Sequence, residues 1–285
     1  MRLKNFVRPG SLEEAHGVLQ ELGKDGMVLA GGTALHFMQG GDSVTAVDIT
    51  RLGPNYIREE DGGTTYRIGA TTPIADIQRY RAPRWALHEI CRRMATHQIR
   101  NISTIGGNIG RVFPWADLPV VLLAMGAKVV TYDGGDEQEM SADEFFKDQP
   151  ARRLAGTGKL IVAVKVPALA AHHGFGSVKV VRTSAAFSMS TVAVWLGLEG
   201  DKVGAARVAV GASVGFPQRL PEVEAALVGH SVDESVLDEV RRVTEGAAAW
   251  RGMEGMSPEY VRHLTGVTAR DATERAMRFA RERAV

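Results

Sequence analysis

The sequence predicts an α+β fold in two parts, a larger mixed part followed by a small module of strands and helices. Three observations support this prediction. Up to about residue 168, segments with strand patterning alternate with segments that carry helix start and stop signals. A connection rich in small residues, Ala168–Gly176, follows. Beyond it, one apolar hairpin pattern leads into two helical segments. We therefore expect one domain at 1–172 and a second at 173–285.

The N-terminal part begins with a helix and then alternates strands with turns. Ser11 and Glu14 form a capping-box pattern at the start of the helix, and Gly23 ends it. Gly26–His36 reads as a short apolar strand, a Gly-Gly turn and the start of a helix. Further strands are expected at Ser43–Thr50, Tyr66–Thr72, Ala127–Asp133 and Lys159–Pro167.

One longer helix is predicted in the middle of the chain, over Arg84–Arg100. Leu87, Ile90, Cys91 and Met94 are spaced i, i+3, i+4, i+7, which places them on one helical face.

The C-terminal part is predicted as a hairpin followed by helices. Ser190–Ser213 reads as two antiparallel strands that turn near Glu199–Lys202. Ser231 or Asp233 can cap a helix that ends near Gly246. A second helix is expected to begin at Pro258, because proline is favoured at the first helical position.

Composition limits the function classes. The net charge is +1, from 34 basic and 33 acidic residues, so no nucleic-acid surface is indicated. The single cysteine, Cys91, excludes an intramolecular disulfide and an iron–sulfur cluster held by this chain on the usual four cysteines. No run approaches the ~20 apolar residues of a membrane span, and the N-terminus lacks a signal-peptide core. We expect a cytoplasmic protein without a metal site of its own.

Two glycine pairs are the candidate ligand-binding features. Gly31-Gly32 and Gly106-Gly107 each follow an apolar or β-branched run and precede a small polar residue. Consecutive backbone N–H groups in a tight turn can form a concave anion site, so two such loops could bind the two phosphates of a dinucleotide. Two ordinary tight turns explain the glycines about equally well.

Three other patterns are less informative. Asp117 could accept hydrogen bonds from ribose or ribityl hydroxyls, or cap a helix that starts at Leu118. Gly211–Gly215 matches the nucleophile-elbow pattern around Ser213, but two prolines follow where a helix is required, so we expect a hairpin-edge loop. His172-His173 is predicted to be an exposed linker pair.

Taken in order, several segments resemble one family over nearly the whole chain. The segments are "FVRPGSLEEA" (Phe6–Ala15), "AGGTALHFM" (Ala30–Met38), "HQIRNISTIGGNIG" (His97–Gly110), "PWADLP" (Pro114–Pro119) and "SPEYVRHLTGVTARDA" (Ser257–Ala272). They are similar to the flavin-binding medium subunit of molybdenum hydroxylases, the group of carbon monoxide dehydrogenase-like and xanthine dehydrogenase-like enzymes. The "QIRN…TIGGN" run is the most specific of them.

This resemblance implies a fold and a set of cofactor contacts. The first domain would be a two-part FAD domain of the vanillyl-alcohol-oxidase-like type, with subdomains of about 1–55 and 56–172. A small C-terminal domain of β-sheet and helices would follow. Non-covalent FAD would contact the first glycine loop (Leu29, Ala30, Gly31, Gly32, Thr33, Ala34, Leu35, His36), the second glycine stretch (Thr104, Ile105, Gly106, Gly107, Asn108), and Met94, Asp117, Ile161 and Lys179.

The sequence departs from the family pattern in three places. Ala34 stands where many relatives have an acid, and Met94 where some have an aromatic residue. Phe113 and Trp115 replace more usual small residues beside Asp117.

The resemblance also implies a role in electron transfer. A large partner would carry the molybdenum cofactor, and a small partner would pass electrons from [2Fe-2S] clusters to the FAD on this chain. The electrons would then go to NAD⁺ or another external acceptor, with no catalytic side chain on this subunit. The alternatives are a stand-alone FAD-dependent oxidoreductase with its own small-molecule substrate and an assembly subunit that has lost the flavin.

Overall fold

The structure, a computed structural model, describes residues 2–37, 43–252 and 255–283. Met38, the last residue of the "AGGTALHFM" segment, lies outside them. The strands are β1 (Arg2–Val7), β2 (Gly26–Leu29), β3 (Ser43–Asp48), β4 (Ile57–Glu60), β5 (Thr65–Gly69), β6 (Lys128–Tyr132), β7 (Glu137–Ser141), β8 (Leu160–Pro167), β9 (His173–Val180), β10 (Ser190–Glu199), β11 (Lys202–Gly211) and β12 (Gln218–Arg219).

The helices are mostly short and are distributed along the whole chain. They are α1 (Leu12–Leu22), α2 (Ile74–Arg79), α3 (His88–Arg92), α4 (His97–Ile102), α5 (Ile105–Gly110), α6 (Asp117–Met125), α7 (Ala142–Phe145), α8 (Pro150–Leu154), α9 (Pro221–Leu227), α10 (Glu234–Gly246) and α11 (Pro258–Arg283). This mixture of separate sheets and helices confirms the predicted α+β class. Within the described residues, no helix is long and apolar enough to cross a membrane.

The chain forms two compact units, each assembled from several stretches. The first unit consists of Met1–Tyr80, Thr96–Val112 and Lys128–Val166. The second consists of Arg81–Ala95, Phe113–Ala127 and Pro167–Val285. A single cut in the chain would not separate these units, and the boundary after residue 172 stays a prediction.

The first unit contains a parallel three-stranded sheet in the order β1-β3-β2. Helix α1 packs on it with Ala15 and Leu19, which belong to a buried cluster that includes Val47. The predicted cap is confirmed, because Ser11 Oγ accepts the N–H of Glu14 at 3.1 Å. The Glu14 carboxylate accepts the N–H of Gly10 at 2.6 Å, one residue before the cap, where a capping box would use the N–H of Ser11.

The same unit contains a five-stranded sheet in the order β4-β5-β8-β6-β7. Ion pairs link strands that are not adjacent in this sheet. Lys165 Nζ lies 2.5 Å from Glu139 Oε1 and 3.1 Å from Glu60 Oε2, and Arg67 donates to both oxygens of Glu137 at 2.7 Å. The hydrogen bond from Lys165 to Glu139 lowers the pKa of that carboxyl. Each of these ion pairs therefore reaches across at least one intervening strand.

The second unit contains an antiparallel sheet in the order β12-β11-β10-β9. The predicted hairpin is confirmed, because β10 and β11 pair from Thr191–Gly211 to Glu199–Lys202. Helix α11 packs on β9 and β10, and α6 packs on β10 and β11 with all nine of its residues buried. Asp233 caps α10 as predicted, accepting the N–H of Val236 at 2.9 Å.

The structure corrects the prediction of one helix over Arg84–Arg100. Two short helices, α3 and α4, replace it, because Ala95 has a positive φ of 41° that ends the helical run. Thr96 then caps α4 by accepting the N–H of Ile99. The predicted apolar face is nevertheless buried, since Leu87 and Met94 at its two ends are both buried.

The histidine pair is also only partly as predicted. His172 is exposed, but His173 belongs to β9 and its ring lies edge-on to Trp195 at 4.7 Å between centroids. The loop at Ser213 agrees with the sequence analysis, because Ser213 is fully buried at the end of β11 and no helix follows it directly.

Candidate functional site

The first glycine loop leaves the parallel sheet at the end of β2. Leu29 pairs with Asp48 of β3, and the chain then turns through Gly32, which has a φ of +68°. A β-carbon on Gly31 would lie only 1.8 Å from the carbonyl oxygen of Ile102. Glycine is therefore required at Gly31 by close backbone approach and at Gly32 by its left-handed conformation.

The loop carries a row of backbone N–H groups that have no partner within the part of the chain that the structure describes. Two hydrogen bonds close it, from the N–H of Leu35 to Gly32 O and from that of Phe37 to Ala34 O, and they begin a 3₁₀ turn at Leu35–Phe37. Among the described residues, the four consecutive amides from Gly31 to Ala34 donate to nothing. Unpaired adjacent amides in a turn with left-handed geometry are the groups that bind an anion in proteins.

The second glycine stretch differs from its prediction. It forms the one-and-a-half-turn helix α5, capped by Thr104, and its N–H groups are already paired. Those of Ile105 and Gly106 donate to Thr72 O and Ala70 O, and those of Gly107 and Asn108 donate to Thr104 Oγ1 and Thr104 O. The expectation of an open loop with free amides is therefore wrong for this stretch, although its contact with a cofactor stays a prediction.

The two glycine segments nevertheless lie side by side in the first unit. Thr33 Oγ1 is 2.9 Å from Ser103 Oγ, and Gly31 lies against Ile102 O, so residues 102–103 join the first glycine loop to the start of α5. Gly110 at the other end of α5 lies beside Ile161 of β8, where an added β-carbon would be 3.2 Å from the Ile161 side chain. The structure thus brings together three of the predicted groups of contact residues.

Residues 70–72, which follow β5, border the second glycine stretch on its other side. Their carbonyls at Ala70 and Thr72 accept the N–H groups of α5. Two buried oxygens in this region have no hydrogen-bond partner among the described residues, Thr71 Oγ1 and Asn108 Oδ1. No sequence pattern predicted Thr71 or its neighbours as site residues, and the signal that could have found them is a pair of threonines just after strand β5.

Asp117 and Lys179 lie together in the second unit. Lys179 Nζ is 2.6 Å from Asp117 Oδ2, and each side chain is 5% exposed. The hydroxyls of Ser188 and Thr191 donate to Asp117 Oδ1 at 2.8 and 2.9 Å. Asp117 is the first residue of α6, and Ala116 occupies the cap position, so the prediction that Asp117 caps the helix is wrong.

Sequence reasoning missed Ser188 and Thr191 because no local pattern relates them to Asp117. Ser188 lies between β9 and β10, and Thr191 is the second residue of β10, whereas Lys179 belongs to β9. The carboxylate therefore ties α6 to both of these strands.

Aromatic rings surround the turn before α6. Phe113 and Trp115 stack at 5.1 Å between centroids, and Trp115 lies 4.7 Å from Phe187. These two departures from the family pattern thus form one cluster with a ring from another loop. Met94, the other departure in this unit, is buried, with 6% exposure.

Comparison with known proteins identifies the family. The family described as the FAD binding domain in molybdopterin dehydrogenase matches residues 2–169, more than half of the chain. The chain belongs to this family. A second family, the CO dehydrogenase flavoprotein C-terminal domain, matches residues 178–276. The protein is thus an FAD-binding medium subunit of the molybdenum hydroxylase type, and an oxidoreductase subunit.

Individual relatives of this medium subunit agree with that assignment. The glyceraldehyde dehydrogenase medium chain of Sulfolobus acidocaldarius is 30% identical over 83% of this chain and 85% of its own length. The carbon monoxide dehydrogenase medium chain of Afipia carboxidovorans is 28% identical over 95% and 96%. A solved carbon monoxide dehydrogenase from Hydrogenophaga pseudoflava superimposes with a TM-score of 0.87 at 27% identity, covering 97% of each chain.

Proposed function

We propose that this medium subunit is the electron-transfer component of a molybdenum-containing dehydrogenase complex. It passes electrons from [2Fe-2S] clusters on a small partner subunit to an external acceptor, with NAD⁺ as one candidate. A large partner subunit carries the molybdenum cofactor and the organic substrate. The proposal includes a cytoplasmic location. Its support is the family membership together with one structural observation, the unpaired amides of the first glycine loop.

The first glycine loop fits the pyrophosphate of FAD. A pyrophosphate carries negative charge and only hydrogen-bond acceptors, and the amides from Gly31 to Ala34 supply only donors. Gly31 and Gly32 carry no side chains that would cover these amides. Ala34 adds a methyl group where an acid would repel an anion, so this departure from the family pattern is compatible with the proposed contact.

The second glycine stretch is proposed to support this loop and to face the same ligand. Because its first amides are consumed by Ala70, Thr72 and Thr104, it does not act as a second set of backbone donors. Its rigidity instead fixes Ile102 and Ser103, against which the first glycine loop rests. Exposed Gly107 and the unpaired oxygen of Asn108 remain available for contact.

The other predicted contacts rest on the resemblance. Ile161 is proposed because it adjoins Gly110 in the first unit. For Met94, Asp117 and Lys179 the family pattern alone supports a contact with FAD. In the second unit, both carboxylate oxygens of Asp117 already accept hydrogen bonds from side chains of this chain. The role proposed for Asp117 is therefore to hold Lys179 in place.

Bound FAD supplies the reversible electron chemistry, exchanging one or two electrons at a time. The chain's own residues bind and orient the cofactor and shield it from solvent. Within the part of the chain that the structure describes, no group of three or more His, Cys, Asp or Glu side chains could hold a metal ion. The metal centres of the proposed relay are accordingly assigned to the partners.

Two experiments test this proposal. The purified full chain is mixed with FAD and its visible spectrum recorded after gel filtration; a protein that never retains flavin bands would overturn the proposal. A tagged chain is then isolated from its native host. Co-purification of a molybdenum-binding large chain and a cysteine-rich small chain is expected. A chain that runs alone and oxidises an organic substrate would favour the stand-alone oxidoreductase instead.

A further inference from the structure

We propose that Thr71 is an additional FAD-binding residue, and that Thr71 Oγ1 and Asn108 Oδ1 hydrogen-bond sugar-alcohol hydroxyls of the cofactor. This inference rests on the proposed FAD site of the first unit and names a residue and a ligand group within it. Thr71 is 6% exposed, and its hydroxyl oxygen has no partner among the described residues.

The backbone around Thr71 is fully held by neighbouring segments. The N–H of Ala70 donates to Val162 O at 2.9 Å, and that of Thr71 donates to Pro54 O at 2.9 Å. The carbonyls of Ala70 and Thr72 accept two amides of α5 at 2.8 and 3.1 Å. Thr71 is therefore fixed in place by bonds that do not involve its side chain.

The adjacent threonine shows what a structural hydroxyl does at this position. Thr72 Oγ1 accepts the N–H of Tyr56 at 3.1 Å and donates to Tyr56 O at 3.1 Å. Thr71, one residue earlier, makes neither kind of bond. Leaving a buried hydroxyl unpaired costs about 1–3 kcal/mol, so a partner outside the chain is the physical reason to keep it.

The two unpaired oxygens lie on segments that are joined to each other. Ala70 and Thr72 bond to the first turn of α5, and Asn108 lies in that helix. On the opposite side, the residues just before α5 contact Gly31 and Thr33 of the first glycine loop. Thr71 and Asn108 therefore lie on segments that are connected, through α5 and residues 102–103, to the first glycine loop.

The chemistry of these oxygens selects the ligand group. A carbonyl oxygen such as Asn108 Oδ1 only accepts hydrogen bonds, so a phosphate oxygen cannot satisfy it. A hydroxyl can donate to Asn108 and can both donate to and accept from Thr71. FAD carries such hydroxyls on its ribityl chain and on its ribose, whereas its pyrophosphate carries none.

The test compares Thr71→Val, which removes the hydroxyl at nearly constant shape, with Thr71→Ser and with the control Thr72→Val. FAD dissociation constants are measured by flavin fluorescence, and thermal unfolding is measured on the FAD-free full chain. Thr71→Val is expected to weaken FAD binding by about two- to tenfold, the loss of one neutral hydrogen bond. It is also expected to raise the Tm of the FAD-free protein, because it removes an unpaired buried hydroxyl.

The controls separate this role from a structural one. Thr71→Ser is expected to bind FAD as the wild type does. Thr72→Val is expected to lower the Tm, because it removes both hydrogen bonds between the Thr72 hydroxyl and the Tyr56 backbone. Binding of FMN and of ADP then identifies the hydroxyls: a Thr71→Val loss confined to FMN indicates the ribityl chain, and one confined to ADP the ribose.

Two outcomes would overturn the inference: unchanged FAD affinity in Thr71→Val, or a Tm lowered as in Thr72→Val. If the wild type itself binds no FAD, the proposed function fails instead, so the two failures are distinguishable.

Discussion

A single methyl group at Gly31 is expected to disrupt the first glycine loop. In Gly31→Ala the new β-carbon would lie 1.8 Å from Ile102 O, 2.8 Å from Ile102 C and 3.2 Å from the Cα of Ser103. Real β-carbons essentially never approach closer than 3.0 Å, so the two backbone segments must separate by at least 1.2 Å. Neither is a flexible side chain that could turn away.

The separation has two measurable consequences. It opens the Thr33–Ser103 hydrogen bond, now 2.9 Å, and it redirects the unpaired amides that follow Gly31. Overpacking of this kind lowers the free energy of unfolding by ~1–3 kcal/mol. Loss of a single hydrogen bond from an amide to a charged phosphate, roughly 1.5–3 kcal/mol, weakens FAD binding by about tenfold or more.

The assay combines urea unfolding of the FAD-free chain with a fluorescence titration of FAD. Gly17→Ala is the matched control, because nothing lies within 4 Å of its added β-carbon. Gly17 is inside α1, where alanine favours the helix by about 1 kcal/mol. Gly17→Ala is therefore expected to be neutral or stabilising with unchanged FAD affinity. If Gly31→Ala behaved like Gly17→Ala in both measurements, the assignment of the loop as a tightly packed anion site would be wrong.

Three further outcomes are expected. Gly107→Val should abolish FAD retention while the fold survives, because Gly107 is exposed. Flavin absorbance after gel filtration measures FAD retention, and circular dichroism measures the fold. Lys179→Met should lower the free energy of unfolding by ~3–5 kcal/mol, because it leaves Asp117 buried without its cation. The hydrogen bond from Lys165 lowers the pKa of Glu139, so its stabilisation is complete above the ordinary value of 4.5 and is lost as pH falls through the lowered pKa. Glu139→Gln should flatten that decline in urea midpoints measured at decreasing pH.

Each of these expectations has a contrary result. Retained FAD in Gly107→Val would remove the second glycine stretch from the cofactor site. A Lys179→Met chain as stable as the wild type would mean that the ion pair contributes little. An equally steep acid decline in Glu139→Gln would assign the pH dependence to other carboxyls.

The features that the sequence predicted well depend on neighbouring residues. Ser11 and Asp233 cap helices whose N–H groups lie three positions along the chain. The hairpin of β10 and β11 depends on two apolar strands and a tight turn between them. Local hydrogen bonding and periodicity are sufficient for such elements, and the family resemblance supplied the candidate residues of the site.

The features that the sequence could not supply depend on distant contacts. The positive φ of Ala95 interrupts a continuous apolar face, and nothing in its residue type predicts this conformation. Asp117 has the residue type of a helix cap, but its partners at Lys179, Ser188 and Thr191 come from remote segments. A glycine pair likewise does not show whether its amides are free, and it is the hydrogen bonds of the second stretch to Ala70, Thr72 and Thr104 that distinguish it from the first.

The interleaved composition of the two units has a consequence for synthesis of the chain. Helix α6 is apolar apart from Asp117 and is buried on all nine residues, yet it leaves the ribosome before the strands that pack on it. The 84 residues from Lys128 to the end of β11 at Gly211 (211 − 127) take roughly 4–17 s to translate at ~5–20 residues per second. During that interval the nascent helix has no native partner in β10 or β11. Chaperone binding to Asp117–Met125 is the expected protection against aggregation, and halted chains that end before β10 should depend on it most.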